Sequence, residues 1–436
     1  MSRHHSRPES PDELPSLSEQ LGTILIGVFA GRIAVAFHAV MNLAEETRAE
    51  LAVLADSHSL LAEAGIVLAC GLLAAASVAL VRKVAPEAEG SGIAAVLEAQ
   101  RSPGPIRALR IMWVKFVAGF CGLASGMPLG REGPSVQIGA MAAVLLRRYG
   151  PRLFYRQRSL YQGAAAGIAA AFNAPLSGVV FSFELLGQPF TTRNAFETIL
   201  VCGIADWVCR MFHGPVLELP ILIDGFREWT ELPTFALVGL WAGLVALVFQ
   251  RLLLVCARWF HARARSNAAA IAATGAWGGL LGVVLLEWPQ LLGIGHELFA
   301  TSIAGTLPLA VAAAALAARI PLTAVSYATG APGGLIVPAL LFGVLSGHVF
   351  ADGFVAAVGT VEPDFHAVCL VAGMAASIGA LFRTPLTAMI MAVEITGAYS
   401  CLLEISIAYV ASHTLLGLAR EPDLYSALKR IHASHG

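Results

Sequence analysis

The stretch Gly130-Arg131-Glu132-Gly133-Pro134 sets a guanidinium and a carboxylate side by side between two apolar runs. Ionised side chains at membrane depth cost about 2.5–3.5 kcal/mol each even on lenient scales, and they mark ion paths or proton relays. Gly130 and Gly133 admit close approach of a ligand to the backbone. Pro134 suits the first turn of a helix, where its missing N–H is no loss. Two other breaks carry the same signature, Gly90-Ser91-Gly92-Ile93 and Gly333-Gly334-Leu335-Ile336-Val337-Pro338. A helix start exposes unpaired N–H groups. It also carries about half a positive charge from the aligned peptide dipoles. Together these hold an anion without a full cation, weakly enough for release. Three such starts meeting at one depth form a dehydrated path for a small anion, with Glu132 as the titratable group beside it.

The composition sets the medium in which these residues work. Of 436 residues, 57% are hydrophobic and 13% charged. A soluble domain carries about 25% charged residues, so the chain reads as an integral membrane protein. The net charge of −1 offers nothing to a nucleic-acid partner. The 43 glycines and the small-residue runs at 164–171 and 312–318 fit closely packed membrane helices. The 7 cysteines sit in apolar stretches without a CxxC pair. They read as small apolar side chains, not as a disulfide or metal framework.

Residues 1–20 are polar and contain Pro8, Pro11 and Pro15, which predicts a short disordered cytoplasmic tail. Apolar segments then recur to about residue 418, and several are shorter than the ~20 residues a full span needs. Broken helices at membrane depth are tolerated only inside protein or along a cavity, which points to a transporter or channel. Arg147, Arg148, Arg152, Arg156 and Arg158 crowd one connection, and Arg258, His261, Arg263 and Arg265 another. The positive-inside bias makes both cytoplasmic, and both read as solvated loops that hold topology. No soluble domain is expected after residue 430.

The chain also repeats itself. Residues 168–184 align without gaps to 378–394, matching Phe172 to Phe382, Pro175 to Pro385 and Glu184 to Glu394. A weaker match sets Gly130, Pro134 and Gly139 opposite Gly334, Pro338 and Gly343. Two related halves, about 21–212 and 233–418, predict a repeat-built transporter with its site where discontinuous helices meet. The symmetry of Glu184 and Glu394 favours a structural role, capping neighbouring helix ends. Lys115, alone in an apolar run, reads as structural or field-shaping.

These motifs, with the Asp423-Leu-Tyr425-Ser-Ala ending, occur in the order found in the ClC chloride channels and proton-coupled chloride transporters, and the chain resembles that family from about residue 22 to 430. The resemblance implies an all-α polytopic membrane domain of two inverted halves with re-entrant helices. It also implies two subunits that each keep their own pore, in a bacterial inner membrane. By the same resemblance Ser91 and Tyr425 contact a central anion through their hydroxyls. The anion site extends to the backbone at Gly92, Ile93, Arg131, Gly133, Leu335, Ile336 and Val337, with Arg131 expected to shape the outer field more than to touch the ion. Glu132 resembles the gating glutamate, which occupies an anion position and leaves it on protonation. Three positions depart from the family pattern. Leu185 stands where proton-coupled members often carry a second acid, Ala94 where a proline usually follows the serine motif, and Ile336 where an aromatic is usual.

The expected cargo is chloride or a similar small anion. Two mechanisms stay open: exchange for protons with Glu132 as shuttle, and passive passage with Glu132 only as gate. An enzyme would need a nucleophile–base pair or a metal cluster at membrane depth. The sequence has no GxSxG, HExxH or paired aspartates, and no histidine pair with metal-ligand spacing. No cofactor is expected.

Overall fold

The computed structural model describes residues 14–55, 59–101, 104–150, 156–214, 217–221, 223, 232–263, 266–359 and 361–433. Tail residues 1–13, Arg152 and Arg265 lie outside them. The first half runs α1 (Leu17–Ala55), α2 (Leu60–Val84), α3 (Ile93–Arg101), α4 (Ala108–Ala124), α5 (Glu132–Tyr149), α6 (Arg156–Phe172), α7 (Pro175–Glu184) and α8 (Thr192–His213). The second runs α9 (Leu232–Arg263), α10 (Asn267–Glu287), α11 (His296–Ile303), α12 (Leu309–Ala328), α13 (Ile336–Val358), α14 (Phe365–Phe382), α15 (Pro385–Thr396) and α16 (Leu402–Leu418), and α17 (Leu424–Ala433) follows. Eight of these helices are long and apolar enough to cross a membrane, so the chain is a multi-pass integral membrane protein. Leu17–Gln20 already belong to α1, so the polar tail is shorter than the sequence reading of 1–20.

The halves correspond helix for helix. α1 packs on α8, α5 on α6, and α6 on α8, while α9 packs on α16, α13 on α14, and α14 on α16. Small residues make these approaches close. A Cβ at Gly139 would strike the Gly163 carbonyl across α5 and α6, and one at Gly343 would strike the Gly373 carbonyl across α13 and α14. Even the exits match: Asn173 (φ 55°) and Arg383 (φ 59°) turn the chain left-handed after α6 and α14, just before Pro175 and Pro385. A residue with a Cβ reaches that region at a cost, and here it occurs at both repeat-related positions.

Glu184 and Glu394 join the halves. The Glu394 carboxylate accepts from the N–H of Leu176 (2.9 Å), the N–H of Ser177 (2.7 Å) and the Ser177 hydroxyl (2.7 Å). Glu184 accepts from the N–H of Leu386 (2.9 Å), the N–H of Thr387 (2.7 Å) and the Thr387 hydroxyl (2.8 Å). Each acid near the end of one short helix therefore caps the start of the other, so α7 and α15 lie antiparallel. The capping role expected from their symmetry is what the geometry shows.

Two sequence readings change. Arg158 lies in α6, 3.6 Å from Glu19 of α1 and 3.7 Å from Glu197 of α8. Arg193 also pairs with Glu19, so Arg158 of this run joins α6 to α1 and α8 and is no solvated loop residue. Tertiary packing also assembles two sets of potential metal ligands that linear spacing hid, His38/Cys209/His213 and His348/Asp352/His366.

Replacing Glu394 by Ala leaves the buried Ser177 N–H and the Leu176 N–H without this acceptor and is expected to cost about 1–3 kcal/mol. The check is the thermal unfolding midpoint in detergent. Glu394→Gln, which keeps one amide oxygen as acceptor, should lose less, and an unchanged midpoint in the alanine variant would show the cap to be dispensable.

Candidate functional site

The three glycine breaks are tied into one knot. Gly130 donates its N–H to Gly334 O (2.9 Å), and Gly334 donates back to Gly130 O (2.6 Å). Gly90 O accepts from Gly333 N–H (3.1 Å) and from the buried Lys115 ammonium (2.6 Å). Lys115 is thus a strut for the first break, in line with its expected structural role. Glycine is required where the loops touch: a Cβ at Gly133 would stand 2.7 Å from Ser91 Cβ and 3.0 Å from Gly334 Cα. Gly92 adopts φ +76°, which side-chain-bearing residues rarely take, and lies against the Gln137 side chain.

The starts of α3, α5 and α13 therefore converge. Leu335, Ile336 and Val337 open α13 and are buried, as Glu132 and Gly133 are at the start of α5. First-turn N–H groups have no acceptor within their own helix, so α5 and α13 offer theirs to a ligand. Ile93 is different: its N–H donates to Ser91 Oγ (3.3 Å), which makes Ser91 a local cap as well as a hydroxyl at the knot.

Ser91 faces an inner cavity of about 480 Å³ that it shares with Gln137, Tyr327 and Tyr425. His261 and Lys429 line the same cavity, which places its mouth on the cytoplasmic side read from the basic runs. Ala94, at the position where the family pattern has proline, also lines it. Tyr425 on α17 is 5% exposed and stacks on Phe382, with ring centroids 5.3 Å apart. The sequence reading missed Tyr327, whose hydroxyl lies 3.5 Å from Ser91 Oγ. A phenol one turn before Gly330, in an alanine-rich helix, was the available signal.

Glu132 lies at the start of α5, next to Arg131 of the second cavity. It is 2% exposed and folds back over Gly130, and its Oε2 has no hydrogen-bond partner among the described residues. Its Oε1 lies 3.8 Å from Arg131 Nε. Glu184 and Glu394 each accept three hydrogen bonds from the other half, whereas Glu132 has a 3.8 Å ion pair and the backbone of Arg131 and Glu132 itself for partners.

Arg131 stands apart from the knot. Its guanidinium donates to Asn42 Oδ1 (3.0 Å) and lies 3.5 Å from Glu218, in a second cavity of about 270 Å³. The structure thus sets Ser91, Gly92 and Tyr425 on the inner cavity, packs Gly133 against Ser91 and Gly334, and buries Glu132, Leu335, Ile336 and Val337 at the joined helix starts, while the Arg131 side chain turns to the second cavity. Nothing in the sequence points to Asn42 or Glu218 as its partners.

Residues 70–417 match the family model described as voltage gated chloride channel. The chain is 32% identical over 420 residues to the H(+)/Cl(-) exchange transporter ClcA of Salmonella agona (strain SL483), covering 93% of this chain and 86% of that protein. It is 32% identical over 433 residues to the protein of the same name from Salmonella paratyphi B, covering 96% and 89%. Among solved structures, a slow cyanobacterial Cl-/H+ antiporter superposes with a TM-score of 0.89 at 25% identity, over 96% of this chain and 99% of that one. A CLC-type fluoride/proton antiporter shares the fold, with a TM-score of 0.75 at 18% identity over 94% and 97% of the two chains. Two halves with the same helix order, glycine breaks joined at their contact and a match along most of the sequence make this chain a member of the voltage gated chloride channel family.

Proposed function

We propose that this protein moves chloride, or a similar small anion, across a bacterial inner membrane in exchange for protons, with Glu132 as the moving acid. The observation that carries this reading is the meeting of the α5 and α13 starts beside a buried carboxylate whose Oε2 has no hydrogen-bond partner among the described residues. A stripped anion takes the partial positive charge of those starts and the hydroxyls of Ser91 and Tyr425. The Glu132 carboxylate competes for the same charge from the outer side. Protonation removes its claim, so the acid swings away and the path opens. A group fixed like Glu394 could not do this, because leaving would orphan two N–H groups.

The names of the relatives favour exchange. One observation favours the passive alternative: Leu185, half-buried at the end of α7, puts an apolar side chain where an inner proton acceptor would sit. Ser91, Glu132, Ile336 and Tyr425 all come from a single chain, so each subunit of a homodimer in lipid would keep a complete path. The reading assigns no enzymatic chemistry to the protein.

Reversal potential in proteoliposomes under crossed proton and chloride gradients decides between the two mechanisms. Exchange requires the potential to move with the proton gradient, and a value set by chloride alone would leave a passive channel. Glu132→Gln is expected to keep anion flux while abolishing proton movement and pH sensitivity. Normal proton pumping by that variant would remove Glu132 from the mechanism.

Tyr425→Ala removes one hydroxyl from the inner side and should weaken chloride binding by about 1 kcal/mol, roughly fivefold, in calorimetry. Gly133→Ala pushes Ser91 and Gly334 apart and should weaken binding further, by about 1–3 kcal/mol. Unchanged chloride affinity in both variants would show that the anion binds elsewhere.

A further inference from the structure

The cavity beside Arg131 holds ligand atoms that the anion path does not use. His38 of α1 and Cys209 and His213 of α8 bring two ring nitrogens and a sulfur within 4.8 Å of one another. Cys209 and His213 are one helical turn apart, with Sγ 3.5 Å from Nδ1. His38 is 4% exposed, and its Nε2 has no hydrogen-bond partner among the described residues. A buried polar nitrogen left unpaired is costly, and a ligand at this point would recover that cost. His213 is exposed and leaves the cluster open to solvent. The side is also fixed: α1 and α8 both begin at the Glu19–Arg193 pair beside Arg158, the cytoplasmic end. His38 lies about 28 Å further along α1 at 1.5 Å per residue, and His213 ends α8.

We propose that His38, Cys209 and His213 bind a zinc-class divalent ion at the outer mouth, and that its occupancy slows anion passage through Arg131. Two imidazoles and a thiolate suit zinc over hard cations. Tetrahedral bonds of about 2.0–2.3 Å set ligands about 3.3–3.8 Å apart, so the cluster needs to close by about 1 Å. The fourth position faces the cavity and takes water. On binding, the Cys209 thiol gives up its proton to solvent and its contact to Ala170 O (3.2 Å) is lost. Asn42, one turn beyond His38 on α1, holds the Arg131 guanidinium. A dication in this cavity repels that guanidinium and competes for Glu218, its other partner. Arg131 then shifts onto Glu132 and keeps the acid in the path. The coupling rests on the transport reading, whereas the metal site does not.

The His348/Asp352/His366 cluster is a built-in control. It has no sulfur, and its rings are already engaged, His348 with Leu307 O (2.8 Å) and His366 with His348 (3.1 Å). Purified full-length protein titrated with Co²⁺ should show a thiolate-to-cobalt charge-transfer band at one ion per chain, displaced by Zn²⁺. The band should vanish in Cys209→Ser, persist in His366→Ala, and need at least ~10-fold more Co²⁺ in His213→Ala, whose exposed side chain can be removed without a cavity. Absence of the band in the wild type, or its survival in Cys209→Ser, overturns the site. External Zn²⁺ should slow chloride efflux from proteoliposomes severalfold in the wild type and leave Cys209→Ser unaffected. Unchanged efflux alongside a clear band overturns the coupling to Arg131. A clear band in protein that carries no chloride at all supports the site and overturns the transport reading.

Discussion

Interrupted helices inside a bilayer leave backbone groups without water, and every unsatisfied one costs several kcal/mol. The reciprocal Gly130–Gly334 bonds, with Gly90 O bridging Gly333 and Lys115, answer that constraint. The loops satisfy one another across the knot, so the three breaks depend on one another. What stays open after this pairing is the first turn of α5 and of α13, and these are the groups left for a ligand. The need to saturate the backbone and the capacity to hold an anion come from the same contact.

Symmetry is used twice and broken once. Glu184 and Glu394 occupy equivalent places, exchange caps between α7 and α15, and make the join between the halves rigid. The starts of α5 and α13 also correspond, yet one carries Glu132 and the other Ile336. A second acid opposite Glu132 would crowd the path with like charge, whereas isoleucine leaves it to backbone dipoles.

The outer mouth has its own electrostatics. Arg131 is shared among Glu132, Glu218 and Asn42, so any charge entering that cavity is felt at the path through one guanidinium. Two histidines and a cysteine on the same cavity wall make a cation the natural visitor. The inner cavity, with Tyr327 and Tyr425 over Ser91, presents hydroxyls in their place.

Much of this was legible in the sequence. Low charge and recurrent apolar runs required membrane helices. Gly130-Arg131-Glu132-Gly133-Pro134 and its two companions were legible as helix starts because glycine and proline act through local backbone geometry. The recurrence of Phe, Pro and Glu disclosed the paired halves and the shared role of the two acids. Other features depend on which helices touch. The exchange of caps, the Lys115 strut, the phenol of Tyr327 against Ser91, the turn of Arg131 towards Asn42 and Glu218, and the meeting of His38 with Cys209 and His213 join residues far apart in the chain. A motif constrains its neighbours along the backbone through dihedral preference and hydrogen bonding within a few residues. Contacts between separate helices follow from how small-residue faces nest, which only the packed tertiary structure decides.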